Sequence, residues 1–588
     1  MSQLQGMLAP QSSQLSAKAR GKFVSALGVL PADTDSFFVL TQVGKTLGMT
    51  EAVAGQIPGI ELARELDSLA VGLSQQAAQD LTRLKPLFQV LSRSQESVSG
   101  QWLQNANDDA ARAIVGVQRE QMAADGEKLV QASRDFHLAP VYLTLTAHPG
   151  GEMLLRQLSV LPLMLPMSTD SSIEMTVRSG WRGFCVKGDL LDLSESGLAP
   201  QHEEAVMSNL QKARLYVLAR VVDGKLVFVV CSNPDEINLP DNPGKSLLGA
   251  PRIEQFDSFL KRDLRALGFC SAEVVKLRED MNLFEYLDSA GFMGSVFTRL
   301  AEVNETYAAA AAAVKSLLSL AAEVLPAKAT DERMVVWGDK ELYVYLTSSA
   351  GNQQFVPGTL RHSANVSAPE TALYAEFTPV TGIPQVDVGH LIDDVEKVQK
   401  GYLSTLKQQT VEKEQLAGHA FCQHKEALKM LLTGIQKWNE QLTGSGTLVL
   451  RESSEGAASA AAVTLLGTVN DADTAKEIQS LLGNGCRELC GDAAGDVSVN
   501  TVENDVIFTY GSQPSEMKSS PVSVPGGGLF SVDFRALSRV LNRIVPESEC
   551  ADVVQSVADM VQCVQGAMSS QEGQHHTLLK IIPGVSTK

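Results

Sequence analysis

One pattern occurs twice in this chain and limits its fold more than any other feature. The first copy is Val222-Asp223-Gly224-Lys225-Leu226-Val227-Phe228-Val229-Val230-Cys231-Ser232-Asn233-Pro234-Asp235-Glu236. The second is Val502-Glu503-Asn504-Asp505-Val506-Ile507-Phe508-Thr509-Tyr510-Gly511-Ser512-Gln513-Pro514-Ser515-Glu516. At a constant offset of 280, Phe228 falls on Phe508, Ser232 on Ser512, Pro234 on Pro514 and Glu236 on Glu516. Each copy predicts a tight turn, a β-branched and aromatic strand, and a Ser-x-Pro-x-Glu exit. Asp223-Gly224 between two apolar runs is a strong hairpin signal, pairing residues 215–221 with 225–232.

A second echo aligns Thr34 with Thr371. Leu30-Pro31-Ala32-Asp33-Thr34 leads into the strand Ser36–Leu40, and Ala368-Pro369-Glu370-Thr371 leads into Leu373–Phe377. Pro and the acid make the turn, and the apolar run makes the strand. Thr34 to Gly224 spans 190 residues against 133 from Thr371 to Asn504, so the first copy carries an insertion, expected over much of 58–95. The fold class that follows is α+β, with two tandem copies of a strand–long helix–antiparallel sheet–helix–strand unit. A repeat of this length is a domain duplication rather than a solenoid. The expected division is a flexible segment 1–27, a first repeat 28–351 with its insertion, a linker 352–365 and a second repeat 366–588.

Periodicity supplies the remaining elements. Strands are expected at 67–74, 141–147, 180–191, 447–452, 460–468 and 577–582, with two around Gly338-Asp339 between 334 and 347. Helices are expected at 76–91, 96–135, 253–267, 283–325, 386–442, 473–482 and 532–568. Within 386–442, Leu428, Leu431, Leu432, Ile435, Trp438 and Leu442 mark one apolar face. Residues 521–528 read as a Pro/Gly-rich linker.

At 588 residues the chain is too long for one ordinary core. Its net charge of −19 disfavours a general attraction to nucleic acid or anionic membranes. Residues 1–22 lack the apolar region of a signal peptide. No apolar run reaches about 18 residues, so no transmembrane helix is expected. The chain is then either cytoplasmic or a mature region whose export signal was removed. The eight cysteines form no metal or redox spacing, and Cys486 with Cys490 reads as small residues one helical turn apart.

Several short motifs suggest chemistry, and each has a plainer reading. Gly244-Lys245-Ser246 resembles the end of a phosphate loop, but position 239 is Leu and Pro243 removes a needed amide. His419 and Cys422 share a helix face, while His424 points away from His419, so the three do not bind one ion on an unbroken helix. His575-His576 on a strand face opposite ways. His148-Pro149-Gly150-Gly151-Glu152 is ordinary turn chemistry after a strand. Gly526–Gly528 reads as linker, and Asp393 with Asp394 as acids offsetting a helix dipole. No G-x-S-x-G, H-E-x-x-H or G-x-G-x-x-G motif occurs. No catalytic, cofactor-binding or metal residue is therefore assigned, and no cofactor is expected.

The Leu-Pro-Ala-Asp-Thr opening at 30–34, its echo at 368–371 with Tyr374, and the Asp-Gly-x-Leu-Val strand at 223–227 resemble a loose class of bacterial cell-envelope proteins of unknown function. The resemblance covers about a quarter of the chain. It implies an exported, membrane-associated or periplasmic setting and no established catalytic residues. The leading expectation is a non-enzymatic envelope scaffold that binds another protein or a surface polymer, with self-association through its long helices as a possibility. The alternatives are a carrier holding an apolar ligand between sheet and helix, and an enzyme whose site is assembled from distant residues.

Overall fold

In a computed structural model, eighteen strands among the described residues form one antiparallel sheet. The structure describes residues 21–43, 66–92, 98–149, 151–164, 173–178, 180–188, 198–254, 256, 259, 263–324, 330–338, 341–349, 371–378, 386–408, 424–452, 461–490, 497–510, 527–544, 554–555, 557–559, 561–571 and 574–583. The strands are β1 (Thr34–Thr41), β2 (Leu66–Ser74), β3 (Val141–Ala147), β4 (Ile173–Arg178), β5 (Trp181–Lys187), β6 (Arg214–Val222), β7 (Lys225–Cys231), β8 (Leu264–Cys270), β9 (Asp331–Trp337) and β10 (Leu342–Ser349). They continue with β11 (Thr371–Phe377), β12 (Leu442–Glu452), β13 (Ala461–Val469), β14 (Val497–Val502), β15 (Asp505–Tyr510), β16 (Gly527–Asp533), β17 (Val561–Gln571) and β18 (Gln574–Pro583). The main helices are α1 (Gln75–Ser92), α2 (Val98–Asn105), α3 (Asp108–Arg134), α4 (Glu152–Met164), α5 (Pro200–Leu210), α6 (Ala272–Leu300), α7 (Glu305–Val324), α8 (Val388–Thr405), α9 (Lys425–Gln441), α10 (Ala472–Cys490) and α11 (Phe534–Ile544).

Read from edge to edge, the pairing order is β4-β5-β6-β7-β3-β2-β1-β8-β9-β10, then β18-β17-β16-β11-β12-β13-β15-β14. The two halves meet at β10 and β18, where Tyr345 stands opposite Leu578. The hairpin at Asp223-Gly224 forms as expected. Asp223 and Gly224 take φ of 48° and 73°, the left-handed pair that matches strand twist in a two-residue loop. Glu503 takes φ of 54° in the corresponding β14–β15 turn.

One sheet face in the first half carries the main aromatic core. Phe37, Tyr142, Val227, Val229, Leu267, Phe269, Trp337 and Tyr345 project there and are covered by Phe23, Leu27, Leu30, Phe256 and Phe259. Residues 21–27, expected as flexible lead-in, are helical and bury Phe23, Ala26 and Leu27. The opposite face is closed by α1, α3 and α5 around Leu84, Leu129 and Leu210, and by α4 around Leu155, Leu158 and Leu226. Tyr142 and Leu143 thus point to different cores, and β3 is covered on both faces rather than half-buried. In the second half, α9 and α10 pack Trp438, Ile478 and Leu482 on Val469 and Val506. These helices approach closely because a side chain on Gly434 would meet Leu482 at 2.8 Å, and one on Gly485 would meet Leu431 at 2.8 Å. A helical layer of α2, α3, α6 and α7 joins α8 of the second half, with Trp102 Nε1 donating to Thr405 Oγ1 at 3.1 Å.

Several expected elements differ. The helix expected over 253–267 ends at Glu254, and residues 264–270 are β8. Leu, Arg and Ala favour helix, but β8 is buried between β1 and β9, and Arg265 Nε finds the Gly338 carbonyl at 2.7 Å. Of the helix expected over 532–568, α11 ends at Ile544, residues 554–555 and 557–559 are also helical, and 561–571 is β17. Its Cys563, Gly566, Ser569 and Ser570 are weak helix formers, and two neighbouring strands bond its backbone. The helix expected over 96–135 breaks at Ala106-Asn107, and that over 283–325 breaks at 301–304. In the expected 386–442 helix, α8 ends at Thr405 and α9 starts at Lys425. The buried stripe of α9 is Ala427, Gly434 and Trp438, whereas Ile435, assigned to the apolar face, is 53% exposed. Residues 66–92, placed in an insertion, are the central strand β2 and helix α1. Among the described residues of the first half, the long helices follow β2. The expected linker 352–365 lies outside the described residues. No helix among the described residues is long and apolar enough to cross a membrane.

Candidate functional site

A partly buried polar cluster is built from three sequence-distant segments. α1 presents Asp80, the chain leading into β3 presents His137, and the exit of β7 presents Ser232 and Glu236. Asp80 is fully buried, and its Oδ2 accepts from Ala139 N at 2.9 Å and lies 2.7 Å from His137 Nδ1. Gln76 Nε2 donates to the other oxygen at 3.0 Å. On the far side of the ring, His137 Nε2 lies 3.1 Å from Glu236 Oε2. Burial alone would lower the His137 pKa, but hydrogen bonds and charge from Asp80 and Glu236 outweigh it and hold it above its ordinary value.

The Ser-x-Pro-x-Glu exit gains a structural meaning here. Ser232 Oγ accepts from Leu138 N at 3.0 Å, and Ser232 N donates to Leu138 O at 2.9 Å. Pro234 opens a 3₁₀ turn capped by Asn233, which also donates to Glu236 at 3.0 Å. Tyr142 accepts from Asn238 N at 3.1 Å, and burial pushes its phenol up to about 12. The motif therefore clasps the start of β3 to the end of β7. A general base needs one imidazole nitrogen free to take a proton from a nucleophile. Both His137 nitrogens are held by carboxylates, and Ser232 is engaged by backbone. A metal ligand likewise needs a free nitrogen, and the two carboxylates lie on opposite sides of the ring. Among the described residues no group of three or more His, Cys, Asp or Glu is placed to hold a metal ion.

The other sequence candidates are dispersed. Lys245 pairs with Asp241 at 2.9 Å and Ser246 is buried against Pro31, so 244–246 is a structural turn. His575 is exposed, while His576 Nδ1 lies in hydrogen-bond contact with the Tyr345 hydroxyl at 2.7 Å; burial, His575 and Arg333 lower its pKa. His148 lies 3.4 Å from Asp67. His419 and Cys422 lie outside the described residues, and His424 precedes α9 without capping it. Gly527 and Gly528, expected as linker, belong to β16, with Gly528 opposite Phe377. Asp393 and Asp394 do not begin α8, whose N-cap is Asp387. Hydrogen bonds from Lys425 and Lys429 hold the Asp393 carboxyl down at about 2, tying α8 to α9. Cys486 is buried on α10.

A groove of about 410 Å³ lies between α10 and β14. Lys476, Gln479, Asn484 and Arg487 line one wall, and Val497 and Val499 the other. Sequence reasoning missed it because its walls meet only when α10 folds back on the sheet. The uncharged run Val497–Val502 was the available signal. Comparisons with family models, curated proteins and solved structures give no significant match to the chain.

Proposed function

We propose that the protein is a non-enzymatic binding scaffold of the cell envelope, made by duplication of one sheet-forming unit, whose partner is another protein or a surface polymer. The observation that carries the duplication is a path through the sheet. From Phe38 the opposed residues run Val71, Leu143, Phe228. From Ala375, which aligns with Phe38 when Thr34 is set on Thr371, they run Leu448, Leu465, Phe508. One sequence echo leads to the other in register. In the opposite direction, Phe38 leads through Gly268 and Met334 to Leu346, and Ala375 through Phe530 and Gly566 to Leu579. Leu346 opposes Thr577 and Leu579 opposes Val344, so a local two-fold falls at Tyr345–Leu578. Bulges follow Thr34 and Thr371 alike. On this reading the extra elements of the first half are α1, α2 and α3, which stand between β2 and β3 where only residues 453–460 separate β12 from β13, together with β4, β5 and α5; of the expected insertion, α1 belongs to the extra elements and β2 does not.

The envelope setting rests on the resemblance of the 30–34 and 368–371 turns. The binding role is supported by a broad rigid platform whose best-placed histidine is locked in a structural clasp. The carrier reading needs space between sheet and helix, and the described interfaces there are filled by Leu84, Leu155, Leu226, Ile478 and Leu482. Native mass spectrometry of the protein purified from its own organism tests the proposal. The expected spectrum contains a complex with another protein or a polymer and no small adduct. A stoichiometric small apolar mass, lost on denaturation, would overturn the scaffold in favour of the carrier.

A further inference from the structure

We propose that the groove between α10 and β14 binds an extended acidic segment of another protein as an added strand. This deepens the binding reading and rests on it. Three observations meet at the groove.

The first is the edge itself. Among the described residues β14 pairs only with β15. Exposed edges are normally blunted by charge, proline or a bulge, because their free N–H and C=O groups recruit other strands. The other edge, β4, follows that rule: Glu174 pairs with Lys187 and Arg178 with Asp235. β14 does not. Val497-Ser498-Val499-Asn500-Thr501-Val502 contains neither charge nor proline, and Val502 is 58% exposed. Gln479 Nε2 donates to the Val499 carbonyl at 2.8 Å, occupying one edge acceptor as a neighbouring strand's amide would.

The second is charge. The groove is lined by Lys476 and Arg487 and by no carboxylate, in a chain of net charge −19. Among the described residues, Lys476 makes a loose ion pair with Asp473 at 3.7 Å, both side chains being exposed. A second copy of this chain, pairing β14 to β14, would bring two such cationic walls together, so complementarity favours an acidic partner over self-association.

The third is dimension. Lys476, Ser480, Gly483 and Arg487 lie on one stripe of α10. Eleven residues of helix set the two cations about 16 Å apart. An extended chain covers that distance in about five residues. Ser480 and Gly483 between them leave the floor open. The geometry thus fits a short β-prone segment with a carboxylate at each end, docked by strand addition.

The test uses the full chain and two labelled pentapeptides in fluorescence anisotropy. One is acetyl-Asp-Val-Thr-Val-Asp-amide, whose end carboxylates share one face of an extended strand, and the other has Lys at both ends. The acidic peptide is expected to bind, to weaken with added salt, and to bind at least about tenfold more weakly to the Lys476→Glu/Arg487→Glu double variant. Both positions are exposed, and an unchanged near-UV spectrum shows that the variant folds. Equal binding of the two peptides, an acidic peptide indifferent to the double variant, or no binding at millimolar peptide overturns the proposal. So does a concentration-dependent dimer in sedimentation that the double variant strengthens, which assigns the edge to a second copy. A chain that co-purifies with a partner yet ignores the acidic peptide keeps the scaffold reading and loses this one.

Discussion

Leu226→Ala is expected to cost about 3 kcal/mol and Val506→Ala about 2 kcal/mol, with little coupling between them. Both side chains are fully buried, and they occupy the same place in the two sequence echoes. Leu226 sits with Leu145, Leu155 and Leu158 under α4, and Val506 with Trp438, Ile478 and Leu482 under α9 and α10. Each substitution leaves a cavity in its own core. A chain of this size need not unfold in one step, so native-state hydrogen exchange is the suitable readout. Leu226→Ala should raise exchange in β3, β6 and β7 while sparing β13 and β15, and Val506→Ala should do the reverse. Equal loss of protection in both halves from either change would contradict two separate cores. Phe228 and Phe508 both pack on these cores but are half-buried, so truncating either costs less than truncating a fully buried ring.

Asp80→Ala is expected to be the most damaging single change, at about 3–5 kcal/mol. It strands the amide of Ala139, removes the buried acceptor of His137 and loosens α1 from the start of β3. The same clasp makes stability depend on pH. The His137 pKa is raised above its unfolded value of 6.5, so the folded state holds that proton more tightly. The stabilisation is therefore complete below about pH 6.5 and is lost as pH rises through the raised folded value. Native-state hydrogen exchange from pH 5.5 to 8.5, divided by the intrinsic rate at each pH, should show local protection of the 137–142 segment falling with pH, and His137→Gln should flatten that dependence. Protection that rises with pH in the wild-type chain would contradict the doubly paired imidazolium.

Much of the sheet was legible in the residues and much of the helical layer was not. Alternation and turn chemistry are local, so 141–147, the Asp223-Gly224 hairpin and the tight turn and strand of the second copy could be read directly. β8 and β17 could not, because their strand state comes from neighbours remote in sequence. Arg265 is a helix former until the Gly338 carbonyl and the flanking strands are in place. The α9 face was read in part: Leu431, Trp438 and Leu442 pack in the core, but the small residues Ala427 and Gly434, not Leu432 and Ile435, complete the buried stripe. The Ser-x-Pro-x-Glu motif was visible, but its partners His137 and Asp80 lie far away in the chain. The groove needed both α10 and β14 in position, and only the lack of charge in 497–502 hinted at it.

The seam between β10 and β18 bears most directly on the proposed duplication. Cysteine pairs at Val344/Leu579 and Leu346/Thr577 are related by the local two-fold and are directly opposed across the seam. Both should form disulfides with similar ease, read by peptide mass spectrometry, while the slipped pair Val344/Leu578 should not, because a one-residue slip places the side chains on opposite faces. Crosslinking of the slipped pair, or of only one of the opposed pairs, would contradict a two-fold sheet joined at Tyr345 and Leu578.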